Sequence, residues 1–377
     1  MPAVPRKILL NPGPATTTDS VKAALFVSDI CPREQEFVNL LQQVRADLVR
    51  IAGGDPETYA CVLLAGSGTA AMDAVLNSVV PSGGAVVIIN NGAYGERLAA
   101  IARCYQLPGY ELKLPWGEWP DLGLIRQTLK SHQEISHLAM VHHETSTGLL
   151  NQLPEIATLA RERGVSLIVD AISSFGGVPL NVTTEHIDYL LSTSNKCLQG
   201  MAGLAWVICR REALEQSRGI PARSYYLNLY EQYRHFEANG QMQFTPPVQV
   251  VYALAQAIRE FYDEGASAHF QRYRRNWQTL MAGLHQLGFK TLLPMERQSP
   301  LLTTVLEPVD PSYSFTRLHD ALYDRGFTIY PGKMQDDATF RLANIGAIDE
   351  TDIQAFLAAL KVVLMETGIK IPIHYQP

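Results

Sequence analysis

The sequence predicts an α/β protein in which a mainly parallel sheet is covered by helices on both faces and is followed by a smaller α+β C-terminal domain. Three observations carry this. Six short runs, CVLLA (61–65), AVVIIN (85–90), HLAMV (137–141), SLIVD (166–170), DYLLST (188–193) and LAWVIC (204–209), are apolar almost throughout, as strands buried on both faces must be. Stretches with helical spacing alternate with them, the pattern of parallel strands joined by crossover helices. After about residue 245 the alternation gives way to two long helices and a mixed tail.

Taken in order, a helical stretch near 35–52 precedes the first strand, and TAAMDAVLNSVV follows it as a second helix. LPEIATLARERG places Ile156, Leu159 and Ala160 on one helical face and stops at Gly164, a residue suited to closing a helix. Val250, Ala253, Leu254, Ala257, Ile258 and Phe261 form a helical stripe, which continues after EGASA into another helix ending near Gly288. The tail predicts a strand at LLTTVLEP, a helix at FTRLHDALYDRG, strands at FTIYPG and TFRLANIG, and a last helix at DIQAFLAALKVVLMETG. The segment 216–247 shows no clear period and is left unassigned. The expected division is an N-terminal segment, 1–22, packing on the small domain, a large domain at 23–255 and a small domain at 256–377.

Composition narrows the function. The 377 residues, 47% hydrophobic and 18% charged, suit a large buried core. Thirty-one Lys and Arg against 37 Asp and Glu leave a formal charge of −6, so no global positive field exists for nucleic acid or an anionic membrane, and an anionic ligand needs a local site. Five cysteines with no C-x-x-C pair argue against a disulfide framework and a four-cysteine zinc site, and no metal is expected. Prolines interrupt the first 14 residues before a signal-length apolar run forms, and no stretch reaches membrane-spanning length, so the expected location is the cytoplasm.

Three motifs fall at carboxyl ends of the expected strands, where ligands of such sheets bind. Gly66, Ser67, Gly68 and Thr69 lie between a strand and a helix, where free amides and the helix dipole suit a phosphate; a plain glycine turn is the alternative. The next strand ends in Asn90, without the acidic residue a dinucleotide ribose needs. Asp170 ends an apolar strand and needs a positive partner, unless it caps the following turn. Lys196, 26 residues later, follows another strand; by itself it reads as a solvated loop lysine. Together the three fit pyridoxal 5′-phosphate, which needs a phosphate site, a carboxylate to keep its ring nitrogen protonated and a lysine for its aldehyde. Tyr94, beyond AVVIIN, is placed to stack on the ring or to be an ordinary rim aromatic. Thr145, beyond HLAMV, is placed to reach the ring's 3′-oxygen or to serve the turn before Gly148.

The blocks NPGPATTT, CPRE, AGSGTAA, NNGAYG, HHETSTGLLN, VDAISSFGG, SNKCLQG, FTPP, YPGK and FRLANIG together resemble the 2-aminoethylphosphonate:pyruvate aminotransferases, in the class V branch of the fold-type I pyridoxal-phosphate enzymes. The resemblance, from about residue 7 to 360, implies transamination between 2-aminoethylphosphonate and pyruvate. It makes Lys196 the Schiff-base lysine, Asp170 the ring-nitrogen partner, Ser67, Gly68 and Thr69 the phosphate loop, Tyr94 the stacking ring and Thr145 the 3′-oxygen contact. Thr245 resembles the threonine that reaches the phosphate of the other subunit, implying a homodimer with shared sites. Arg341 resembles the arginine that takes the substrate's acidic group, with Arg33 as the next candidate. Met242 and Gln243 stand where several relatives have Trp-Arg. Another class V aminotransferase, such as an alanine:glyoxylate enzyme, would use the same cofactor groups, and a non-catalytic binding protein would keep the fold without turnover.

Overall fold

The structure is a computed structural model and describes residues 7–334 and 338–375. Its large sheet has seven strands, in the spatial order Tyr59–Ala65, Leu204–Arg210, Tyr189–Thr193, Ser166–Asp170, Ile135–Val141, Ala85–Asn90 and Gly109–Lys113. Leu204–Arg210 runs antiparallel to both neighbours, and the remaining pairs are parallel. The six expected strands are all present. The seventh, Gly109–Lys113, escapes sequence reasoning because it is an edge strand with one face in water, so GYELK has no continuous apolar run.

Helix Gly68–Val79 follows the first strand and Ala93–Cys104 the second, so both helix starts rise at the carboxyl edge of the sheet. The unassigned segment contains helix Leu229–Asn239, started by the Asn228 side chain accepting from the Glu231 amide and closed by Gly240 in the left-handed region. Its buried face is Leu229, Gln232, Tyr233 and Phe236, which is helical spacing, but the polar Gln232 interrupts the apolar stripe.

A three-stranded sheet, in the order Leu302–Leu306, Thr339–Ala343, Tyr330–Pro331, forms the C-terminal part with helices Phe315–Asp324 and Glu350–Glu366. The expected single strand at FTIYPG is two. Phe327–Thr328 pairs in parallel with Ile8–Leu9, whereas Tyr330–Pro331 joins Thr339–Ala343, and Pro331 brings no N–H to that ladder. The largest apolar core draws on residues from Phe37 to Phe261, and a second on Leu10 and residues from Leu280 to Ile373. The N-terminal segment therefore runs from the small sheet region at Ile8–Leu9 to the Asn195 carbonyl, which accepts from the Ala15 amide. Residues 10–14 cross the carboxyl edge of the large sheet on the way. Among the described residues no helix is long and apolar enough to cross a membrane.

Candidate active site

The carboxyl edge brings Asp170, Lys196, Tyr94 and Thr145 into one site with Arg341 of the small sheet. Asp170 ends its strand 3% exposed, and one carboxyl oxygen accepts from the Ile172 amide at 2.9 Å. Burial pushes its carboxyl up to about 7, the Glu144 charge adds to the rise, and the Ile172 amide opposes it. It is an acid held ready for a cation.

Lys196 is also sheltered. Burial lowers its amine below the ordinary lysine value, the Arg341 cation acts in the same direction, and Tyr94 and Asp170 partly offset both. Its Nζ donates to the Pro12 carbonyl. The next residue, Gly13, has φ +130°, and a Cβ there would lie 2.5–2.7 Å from the end of the lysine arm, so only glycine lets this loop cover Lys196.

Tyr94 stands in the first turn of helix Ala93–Cys104. Burial raises its phenol, but Lys196 and Lys333 outweigh that and leave it below the usual value. Its ring is flanked by the Arg97 guanidinium at 4.8 Å and the Lys333 ammonium at 4.9 Å from the ring centre. Thr145 Oγ1 lies buried beside this hydroxyl without a well-formed hydrogen bond of its own.

Ser67 has the extended backbone of a helix N-cap, yet its exposed side chain caps nothing. The first-turn amides beyond it have no intrahelical acceptors, as at any helix start. Thr69 Oγ1 accepts from Arg97 at 3.1 Å, which adds a cation to this loop.

Arg341 is 1% exposed in strand Thr339–Ala343. Its Nε donates to the Pro331 carbonyl at 3.0 Å and one terminal nitrogen to the Thr145 carbonyl at 3.1 Å, so it ties the small sheet to the turn that carries Thr145. Among the described residues no carboxylate pairs with it. A buried guanidinium met by two carbonyls, the Tyr94 hydroxyl and the Tyr330 ring, with no carboxylate among the described residues, is a place for an acidic ligand.

Two expected residues do not join this set. Arg33 is exposed in the loop before helix Gln35–Ile51 and donates to Gln241 Oε1 at 3.1 Å, with no bond to Lys196, Tyr94 or Arg341. Thr245 is exposed just before helix Val248–Glu264. Of the two residues that depart from the family pattern, Met242 is buried in the large core and Gln243 keeps a buried, unpartnered Oε1.

The structure adds residues that sequence reasoning missed. Glu144 is fully buried; one oxygen accepts from the Tyr94 and Gly95 amides at 3.0 and 3.2 Å, and the other from the Ser146 hydroxyl and amide at 2.6 and 3.2 Å. Burial raises its carboxyl while these four bonds oppose the rise. It thereby fixes Tyr94 to the turn that carries Thr145, and a Cβ on Gly92 would collide with it. The available signal was an acid directly before Thr145 and a glycine-flanked helix start, NNGAYG. Arg97, one turn after Tyr94, gave no signal beyond its helical spacing.

The groups present suit pyridoxal phosphate: a helix start with an uncommitted serine and a nearby guanidinium, a buried carboxyl near 7, a sheltered amine and an unpartnered threonine hydroxyl between them. Among the described residues no cluster is arranged to hold a metal ion.

Comparison with known proteins agrees. The Aminotransferase class-V family model matches residues 21–323. The chain is 42% identical over 363 residues to the 2-aminoethylphosphonate–pyruvate transaminase of Salmonella dublin, covering 96% of this chain and 98% of that one. It is 42% identical over 365 residues to the enzyme of the same name from Aeromonas hydrophila, covering 95% of both. Among solved structures, the alanine–glyoxylate aminotransferase of Nostoc superposes with a TM-score of 0.89 at 28% identity, over 97% of each chain. The chain belongs to the class-V aminotransferases, a fold-type I family, and within them to the 2-aminoethylphosphonate–pyruvate transaminase family.

Proposed function

We propose that this chain moves the amino group of 2-aminoethylphosphonate to pyruvate, giving phosphonoacetaldehyde and L-alanine, with pyridoxal phosphate as its cofactor. The observation that carries the reading is Arg341: a buried cation without a carboxylate partner among the described residues, beside Lys196 and Tyr94, where either substrate must present an acid. The names of the full-length relatives support the same donor and acceptor.

Bound pyridoxal phosphate would supply an aldehyde that takes up the amine and a ring that withdraws electrons from the adjacent carbon. The first-turn amides at Ser67, Gly68 and Thr69, with Arg97, hold its phosphate. Asp170 would keep the ring nitrogen protonated, and Thr145 Oγ1 would be the donor for the ring oxygen. Lys196 Nζ takes the proton from the substrate carbon that bears the amine. Its sheltered position favours the neutral amine that this step needs. The loop at Pro12 and Gly13 covers Lys196 and limits the approach of water.

A homodimer completes the proposal, with Thr245 reaching the partner's cofactor phosphate. Phe26 and Tyr225, 91% and 85% exposed, are apolar side chains that a second copy would cover, and Tyr225 lies 6.0 Å from Phe244, the neighbour of Thr245. All five thiols are unpaired, which supports a reducing, cytoplasmic setting.

The direct test follows the cofactor spectrum as single amines are added without keto acid. Conversion by 2-aminoethylphosphonate and by L-alanine is expected; no conversion by the phosphonate would leave class V chemistry with another donor. Within this reading, Arg341→Ala is expected to lower kcat/KM of both half-reactions by at least ~2 kcal/mol, about 30-fold, the scale of a charge-assisted pair. Arg341→Lys keeps the charge and loses the fork, so it also weakens both. Unchanged values for both acids would remove Arg341 from the site.

A further inference from the structure

The Tyr330–Pro331 strand places a second cation at the site. Tyr330 pairs with Arg341 and Pro331 with Phe340, and the Gly332 amide donates to the Thr339 carbonyl at 2.8 Å, so Lys333 leaves this ladder directly beside Arg341's strand. Its ammonium lies 4.9 Å from the centre of the Tyr94 ring, the same tyrosine whose hydroxyl meets Arg341. Among the described residues no carboxylate pairs with Lys333. The other charges are committed: Arg97 is tied to Thr69 at the phosphate loop, Glu144 is held by the Tyr94 and Gly95 amides at a helix start and by the Ser146 amide and hydroxyl, and Asp170 belongs to the cofactor ring of the proposed function. Among the described residues, Arg341 and Lys333 are therefore the two cations on the small-sheet side without a carboxylate partner.

The two substrates differ in what they ask of such a pair. Pyruvate and alanine present a planar carboxylate with one charge, which a single guanidinium fork satisfies. A phosphonate, like a phosphate group, presents three oxygens in a tetrahedron and carries about −1.5 to −2 near neutral pH. A fork takes two oxygens, and a lysine, a compact charge on a flexible stem, suits the third.

We propose that Lys333 is a second anion contact of the substrate site, one that recognises the additional charge and oxygen of a phosphonate and so separates the aminophosphonate from the carboxylate substrates. This rests on the reading of the site as an aminophosphonate transaminase. Lys333 acts on the phosphonate half-reaction, whereas Arg341 serves both.

The test uses the cofactor-loaded protein and the variants Lys333→Gln and Lys333→Arg. Half-reaction kcat/KM is measured for 2-aminoethylphosphonate and for L-alanine, together with binding of ethylphosphonate and propionate, which carry the acids without the amine. Lys333→Gln is expected to lower the phosphonate-to-alanine ratio of kcat/KM, and the ethylphosphonate-to-propionate binding ratio, at least ~10-fold, the scale of one charge-assisted contact. Lys333→Arg restores most of both. Equal losses for the two acids, a loss traced to cofactor release, or unchanged ratios would overturn the proposal. If the parent protein binds ethylphosphonate through Lys333 but does not convert 2-aminoethylphosphonate, the proposed function fails and the anion contact stands.

Discussion

Lys196→Ala is expected to lower turnover by about 10⁴-fold or more, because one side chain serves as both the covalent anchor of the cofactor and the carrier of the substrate proton. The structure says why the fold should survive. Lys196 Nζ makes its hydrogen bond to the Pro12 carbonyl, and burial already disfavours its charged form, so alanine removes a costly buried amine along with that bond. The phosphate loop, Asp170 and Thr145 remain, so cofactor is expected to bind without the absorbance of the lysine-bound form. The check is a spectrum and a multiple-turnover assay on the same sample. Substantial turnover without an added small amine would mean that another group carries the proton.

Asp170→Asn has the second largest expected effect, and its sign depends on whether cofactor is present. A neutral amide cannot hold the ring nitrogen protonated, so turnover is expected to fall on the order of 100-fold or more. Cofactor-free protein should behave in the opposite way. The folded-state carboxyl is pushed up to about 7, well above the ordinary aspartate range, mainly by burial. A carboxyl raised in this way contributes stability that is fully present below the unfolded value and is lost as pH rises through the folded one. Ionising this carboxyl in the folded chain therefore carries a penalty on the order of a few kcal/mol above pH 7. Asparagine has no such penalty. Cofactor-free Asp170→Asn is therefore expected to melt above the parent at pH 8, with the difference closing towards pH 4. Thermal melts with and without cofactor at both pH values separate the roles; near-parental turnover with cofactor bound would make Asp170 merely the acceptor of the Ile172 amide.

The large sheet was legible because its strands are buried on both faces, and burial writes itself into runs such as AVVIIN and LAWVIC. Gly109–Lys113 and Leu229–Asn239 were not, since an edge strand and a helix with Gln232 in its buried face leave no uninterrupted apolar signal. At the site, Asp170 and Lys196 each had an ordinary reading alone, and the signal lay in their combination with a glycine loop at one sheet edge, where the structure brings them together. Glu144 bonds to the Tyr94 and Gly95 amides, 50 and 49 residues away in sequence, and its role appears only once they and Ser146 converge on it. Pro12 and Lys333 come from segments remote in sequence. Long-range approach of this kind has no periodicity to reveal it.

The central claim is that one site takes nitrogen from an aminophosphonate and delivers it to a keto acid. Its most direct test supplies ¹⁵N-labelled 2-aminoethylphosphonate and unlabelled pyruvate to the cofactor-loaded protein and follows the label by mass spectrometry. The account predicts ¹⁵N-labelled L-alanine and phosphonoacetaldehyde in equal amounts, with neither formed by Lys196→Ala. Unlabelled products only, or label retained in the phosphonate while pyruvate is aminated from another donor, would contradict it.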